Sequence, residues 1–274
     1  MSGAPSPAEL LSGWQLGPPV ATIVAAGAAY ALGVRRARAW PRRQTAAFAL
    51  GLAVLLLALQ SGVHAWGERL QSVHMAQHLL LCLVAAPLLV AGAPVTLALR
   101  SLRGRGPRRL AALLRSRGTR LAAHPATGFA ALAAAMLATH LTPLYEAAAR
   151  HALVHDAEHA LLLAGGLLFW APLVAADPVP RRPGAAGRIG WLLAAMVPMG
   201  VVGAVLLASG PRSTSYERSA ALLGVSPAAD QAHAAVVMWL GGSLVMSIGL
   251  TLLVGAALRE EEQRARRREA AGAW

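Results

Sequence analysis

The stretch His74-Met75-Ala76-Gln77-His78-Leu79-Leu80-Leu81-Cys82-Leu83-Val84-Ala85-Ala86-Pro87-Leu88-Leu89-Val90 decides the fold. The run it opens, 74–99, exceeds the roughly 20 residues that an α-helix needs to cross a hydrocarbon core. Its first turn carries two imidazoles four residues apart, which on a helix share one face with Cβ atoms about 5–6 Å apart. The same arrangement returns at His155-Asp156-Ala157-Glu158-His159, again at the head of a long apolar run. Ionisable groups at membrane depth are costly and mark functional sites. A two-nitrogen claw at the start of two membrane helices therefore sets both the fold class and the place to look for chemistry.

Working outward, apolar runs of membrane-spanning length fall at about 18–34, 46–63, 74–99, 122–140, 153–174, 188–209 and 230–257. The chain has 274 residues, 56% of them apolar, and a mean hydropathy of +0.52. Such a composition excludes an ordinary soluble domain. The expectation is an all-α polytopic membrane bundle of seven transmembrane helices over 18–257. An extracytoplasmic segment, 1–17, precedes it, and a charged cytoplasmic tail, 258–274, follows. The polar connections near 100–121 and 210–229 are linker-sized, and Leu110 to Arg120 has the amphipathic, basic pattern of an interfacial helix. The mixed charges after Arg259 read as a solvated helical extension.

Charge orients the bundle. All 25 basic residues are Arg, and 21 of them lie in the connections after the first, third and fifth runs and in the C-terminal tail. Only Arg69, Arg150, Arg212 and Arg218 fall on the other side. Basic residues collect on the cytoplasmic side, so the C-terminus is expected inside and the N-terminus outside. The net charge of +13 is accounted for by this topology and by anionic headgroups, not by nucleic acid. No Arg precedes Arg35, so the first run lacks the basic flank of a cleaved signal and reads as a retained helix. A single cysteine, Cys82, excludes an internal disulfide.

On this topology eight of the nine histidines lie on the outer side, His151 among them in the loop before the fifth run, and only His124 is inner. His64 closes the second run, His74 and His78 open the third, and His140 closes the fourth. His155 and His159 open the fifth, and His233 opens the seventh. Helices pack 8–10 Å apart, close enough for His74, His78, His155 and His159, with His140, His233 and His64, to meet as metal ligands. Imidazole suits copper, zinc, iron and nickel alike, whereas sulfur from Met75, Met238 or Cys82 would favour Cu(I). Each of the three sulfurs equally suits a core position. Asp230 and Glu158 read either as acceptors for ligand N–H groups or as acids at helix N-termini. Pro87, Pro94, Pro172 and Pro198 are expected to kink their helices. No phosphate-binding loop, nucleophile elbow or His-Glu-x-x-His motif occurs, so no catalytic machinery is expected, and Asp177-Pro178-Val179-Pro180 reads as a turn.

At these same residues the chain resembles a known family. Ser72-Val73-His74-Met75-Ala76-Gln77-His78, followed by Ala86-Pro87-Leu88-Leu89 and Gly92-Ala93-Pro94, is similar to the CtaG family of caa(3)-type cytochrome c oxidase assembly factors. So are His140-Leu141-Thr142-Pro143-Leu144-Tyr145-Glu146, His155 to His159 with Leu168-Phe169-Trp170-Ala171-Pro172, and Asp230-Gln231 with Met238-Trp239. The resemblance implies a multi-pass protein of the bacterial plasma membrane, not an enzyme, that handles copper on its outer side. The ion would come from a periplasmic carrier and go to an oxidase subunit. The family's histidines fall on His74, His78, His140, His155 and His159, and its Asp-Gln pair on Asp230 and Gln231. His64 and His233 rest on spacing alone. Two other readings of the histidines stay open: a bis-His membrane haem protein, and an intramembrane zinc-dependent hydrolase.

Overall fold

The computed structural model describes residues 3–178, 180 and 182–272; no strand occurs among them. Arg181, Val179 and the outermost parts of the two terminal segments, 1–2 and 273–274, lie outside the described residues. In chain order the helices are α1 (Pro7–Leu11), α2 (Pro19–Arg36), α3 (Arg42–Gln60), α4 (Gly62–Gly67), α5 (Gln71–Ser101), α6 (Gly106–Leu114), α7 (Arg117–Ala122), α8 (Pro125–Leu141), α9 (Leu144–Arg150), α10 (Ala152–Val174), α11 (Ala185–Ala208), α12 (Thr214–Leu222) and α13 (Pro227–Glu269). Each of the seven apolar runs is a helix, within a few residues at the start and up to twelve at the end of the last. Five of them, α3, α5, α10, α11 and α13, are long and apolar enough to cross a membrane. The bent pair α8–α9, which turns by 71°, makes six if it counts as one span. The seventh, α2, has 18 residues and ends on Arg35 and Arg36, which dilutes its apolar length. The amphipathic helix expected over Leu110–Arg120 is two helices, α6 and α7. The chain breaks at Arg115–Ser116, where the Ser116 hydroxyl accepts from Thr119 N–H to start α7. The tail beyond Arg259 continues α13 as a helix, as its mixed charges suggest.

The rod α5 is the centre of the bundle, and its irregularities have local causes. Around Leu80–Ala85 it widens into a π-helical turn, with Ala86 N–H bonded back to Leu81 C=O. The next residue in that five-back register is Pro87, which has no N–H to give. The carbonyl of Cys82 is thereby orphaned, and Trp170 Nε1–H of α10 supplies the missing donor at 3.0 Å. Close approach makes this possible. A Cβ on Gly166 would stand 2.8 Å from that same Cys82 oxygen, so only glycine lets α10 lie against the turn. On its other side α10 meets α8 in the same manner, for a Cβ on Gly128 would stand 2.5 Å from the Leu168 oxygen. Small residues at such contacts are how membrane helices pack backbone to backbone. The result clamps α5, α10 and α8 together over a core that includes Cys82, Leu132, Leu162, Phe169 and Trp170.

Charge divides the bundle into two ends. The Arg100 guanidinium lies 5.6 Å over the Trp40 ring, joining the connections after α2 and α5. Asp177, expected only to form a turn, accepts from Val95 N–H (3.2 Å), Thr96 N–H (2.6 Å) and Thr96 Oγ1–H (2.7 Å), capping the last turns of α5. Arg117, Arg120 and His124 share a cleft with Pro180. The arginine-rich connections thus gather at one end. At the opposite end the N-terminal segment lies against α3 and α4: Gln15 N–H donates to Gln60 C=O (2.8 Å), Gly17 N–H to Gln60 Oε1 (2.6 Å) and Gly62 N–H to Ser12 C=O (2.6 Å).

Trp170→Phe removes the donor to the Cys82 carbonyl while keeping an aromatic ring, and leaves a buried acceptor unsatisfied. It is expected to cost about 1–3 kcal/mol of stability, read by denaturant unfolding in detergent. Gly166→Val is expected to cost more, because backbone and not a flexible side chain must give way.

Candidate metal centre

Three helices bring imidazoles to one buried point at the end of the bundle opposite the arginines. α5 contributes His74 and His78, α10 contributes His155 and His159, and α8 contributes His140. The rings of each claw lie 4.0 Å (His74–His78) and 4.2 Å (His155–His159) apart between centroids. Across helices the centroid separations are 5.2 Å for His74–His155, 5.4 Å for His78–His159 and 5.0 Å for His78–His140. All five rings are buried. His64, from α4, packs 5.7 Å from His155 and 6.5 Å from His159, nearer the surface.

Of the expected ligands, His233 is the one that the fold does not bring in. It is exposed on α13, whose inward face is Asp230, Gln231, Ala234 and Ala235. At 100° per residue, position 233 falls outside the stripe those four define. The sulfurs also point elsewhere. Met75 and Met238 are buried in the apolar core, and Cys82 Sγ donates to His78 C=O at 3.0 Å.

Glu158 joins the cluster from α10. Its carboxylate is 2% exposed as a residue. One oxygen lies 3.5 Å from His74 Nε2 and the other 3.8 Å from His78 Nε2. Both separations exceed the 2.7–2.9 Å of a charge-assisted hydrogen bond. The first falls within, and the second just above, the spacing of about 3.3–3.6 Å between two ligands held near 2.0–2.2 Å on one tetrahedral ion. The signal in the sequence is its position one residue before His159 and three after His155, which keeps it on the claw's side of the helix.

The hydrogen bonds fix which nitrogens are free. His140 Nδ1 faces the Met136 carbonyl at 2.7 Å, and a carbonyl only accepts, so Nδ1 carries the proton. In the neutral ring His140 Nε2 is then a lone pair, and His78 Nδ1, 3.0 Å away, must donate to it. That leaves His78 Nε2 bare, directed toward the Glu158 carboxylate. His78 Nε2, His159 Nε2 and both Glu158 oxygens are buried without a hydrogen-bond partner. In this tautomer His78 Nε2 faces the Glu158 carboxylate with no hydrogen bond between them. Two groupings place their ligand atoms within 4.8 Å of one another: His74, His78 and Glu158, and His74, His155 and His159.

Asp230 and Gln231 act on the backbone. Asp230 accepts from Gln71 N–H (2.7 Å), Ser72 N–H (3.2 Å) and the Ser72 hydroxyl (2.5 Å), capping the N-terminus of α5 one turn before His74. Gln231 donates to the carbonyls of Leu206, Ser209 and Gly210 at 3.0, 3.1 and 2.9 Å and accepts from Arg212 N–H at 2.9 Å. It closes the end of α11. Neither touches a ligand imidazole, so their expected place beside the ligands is replaced by a structural one. Tyr216, whose hydroxyl donates to Gly67 C=O at 3.0 Å, lies 5.7 Å from the His74 ring, and Tyr145 stacks beyond it. Glu146 accepts from Ser213, Thr214 and Ser215 hydroxyls at 2.6, 2.8 and 2.9 Å, tying α9 to the start of α12 over the cluster.

Residues 28–260 match the family described as cytochrome c oxidase caa3 assembly factor, Caa3_CtaG. The chain belongs to that family. It is 33% identical over 282 residues to the uncharacterized protein Mb0105 of Mycobacterium bovis, covering 97% of this chain and 42% of that protein. It is likewise 33% identical over 258 residues to the uncharacterized protein ML1998 of Mycobacterium leprae, covering 89% and 39%. The chain thus spans about two fifths of the length of the curated relatives it matches. No solved structure matches it.

Asp230→Ala removes three hydrogen bonds at the N-terminus that carries the first claw. It is expected to cost about 0.5–2 kcal/mol, the range for losing a helix cap. Faster amide hydrogen exchange at Gln71 and Ser72 would locate the loss.

Proposed function

We propose that this chain is a cytochrome c oxidase assembly factor that holds a metal ion, copper as its cargo, in the buried histidine–carboxylate cluster, and hands it on to an oxidase subunit. The observation that carries the reading is the facing of Glu158 and His78 Nε2, which leaves buried acceptors with nothing to accept. Burying an ionised carboxylate costs several kcal/mol unless it is paired. A cation between the carboxylate and the imidazoles satisfies all of these groups at once. Family membership supports copper as the cargo. The donor set of imidazole and carboxylate, with sulfur turned away, suits Cu(II) more than Cu(I).

The rest of the reading follows from the segregation of charge. The helix α2 and the bent pair α8–α9 count as crossings, making seven, with the N-terminus and the cluster extracytoplasmic and the arginine end in the cytoplasm of a bacterium. A periplasmic copper carrier would load the site. Transfer by ligand exchange needs no catalyst, so the chain is not an enzyme. Zinc fits the same donors, so a zinc site is the reading to separate by metal analysis. Haem is less favoured, because the rings pack against one another at 4.0–5.4 Å with no slot for a macrocycle between the two claws.

Protein purified without chelators is expected to contain copper. His74→Ala combined with His78→Ala should remove the copper of the buried cluster and lower oxidase assembly while membrane insertion is unchanged. His124→Ala, at the arginine end, should match the wild type. Copper content unaltered by the double substitution would overturn the ligand assignment. His140→Leu removes only the partner that orients His78, and should weaken copper binding about 10–100-fold at unchanged stoichiometry, measured by competition with a chelator of known affinity.

A further inference from the structure

A second group of ligand atoms stands at the mouth of the cluster. His64 of α4, Glu68 just beyond it and His155 of α10 place one ligand atom each within 4.8 Å of the others. His64 Nε2 is 3.8 Å from Glu68 Oε1, and the His64 and His155 rings lie nearly parallel, 22° apart in plane. The side chains of His64 and Glu68 are 25% and 56% exposed, in contrast to the closed inner site. They open on a cleft of about 250 Å³ walled by the N-terminal segment at Gln15 and Gly17, by Gln60, and by Asp156.

From these positions we infer that His64, Glu68 and His155 form a separate landing station, on which the ion binds before it reaches the buried cluster. The inference rests on the reading of that cluster as a metal site. The link is His155. Its Nε2 lies 3.4 Å from His74 Nδ1, so the same imidazole belongs to the outer group and to the inner one. An ion held outside by His64, Glu68 and His155 need only exchange His64 and Glu68 for His74 and His159 while His155 stays beside it. It is never bare in a low-dielectric interior, where an unpaired charge is most costly. Two carboxylates at the mouth, Glu68 and Asp156, raise the local concentration of cations. The step moves one ion between ligands and involves no change of oxidation state.

The N-terminal segment keeps the mouth in shape. Ser61 Oγ–H donates to Leu10 C=O at 3.1 Å, and a Cβ on Gly62 would run into Glu9 C=O. The wall formed by residues 9–17 is therefore seated directly on the start of the helix that carries His64.

The test uses the full chain in detergent and copper(II) alone, with stoichiometry by equilibrium dialysis and loading rate by stopped flow. Wild type should bind two ions, one stripped rapidly by a hydrophilic chelator and one slowly. His64→Ala with Glu68→Ala should lose the rapidly stripped ion and fill the remaining site at least tenfold more slowly. His74→Ala with Glu158→Gln should keep the rapid ion and lose the slow one. Glu68→Gln alone, at an exposed position, should slow loading in the same sense without any question of folding. His151→Ala, an exposed rim histidine outside the group, should load as wild type. A single slowly stripped ion in wild type, or unchanged loading in the outer double variant, would overturn the landing station and leave the proposed function standing. No copper bound by wild type would overturn both.

Discussion

A buried carboxylate enclosed by imidazoles, with neither oxygen in a hydrogen bond, is the constraint on which the structure turns. Protein interiors tolerate ionised groups only when they are paired, and Glu158 has His74 Nε2 at 3.5 Å and His78 Nε2 at 3.8 Å, neither hydrogen-bonded to it. The hydrogen-bond chain from Met136 through His140 to His78 aggravates the deficit, since it orients a lone pair toward the carboxylate when the other tautomer would have supplied a proton. A packed apolar core contributes stability without such an arrangement. Its presence at the convergence of three helices is what motivates the proposed cation site.

The packing of the bundle serves that convergence. Gly166 and Gly128 let α10 touch its neighbours at backbone distance, which brings His155 and His159 opposite His74 and His78. The π-helical turn in α5 follows directly after the first claw, and its defect is closed by Trp170 from the helix that bears the second. Asp230 then caps the start of α5, and Asp177 its last turns, from distant parts of the chain. The position of the imidazoles along and around α5 is thus fixed at three heights by residues from elsewhere in the chain.

The repeated His-x-x-x-His element, the apolar runs and the placing of arginine made the helical membrane class and most of the buried histidine cluster legible from sequence. Periodicity places His74 with His78 and His155 with His159 on shared faces. The uncertain parts depended on distant partners. Asp230 lies 159 residues from Gln71, and nothing local distinguishes a carboxylate that caps another helix from one that orients a ligand. Glu158 had the same ambiguity, and the fold turns it toward the His74 and His78 rings. His233 failed because a position at the head of a run does not say which side of the helix faces inward. The span count exceeded the helices of full membrane length because α2 ends early in arginine and α8 is bent from α9 by a 71° turn.

The thiol of Cys82 deserves a chemical conclusion of its own. Its hydrogen is committed to the His78 carbonyl under complete burial, one helical turn below imidazoles that would otherwise have been its natural companions. Thiolates bound to copper are prone to oxidation and to disulfide exchange. With the sulfur sequestered, the nitrogen and oxygen donors of the proposed site have no such weakness, and a cargo ion held there would survive peroxide or oxygen without damage to its ligands.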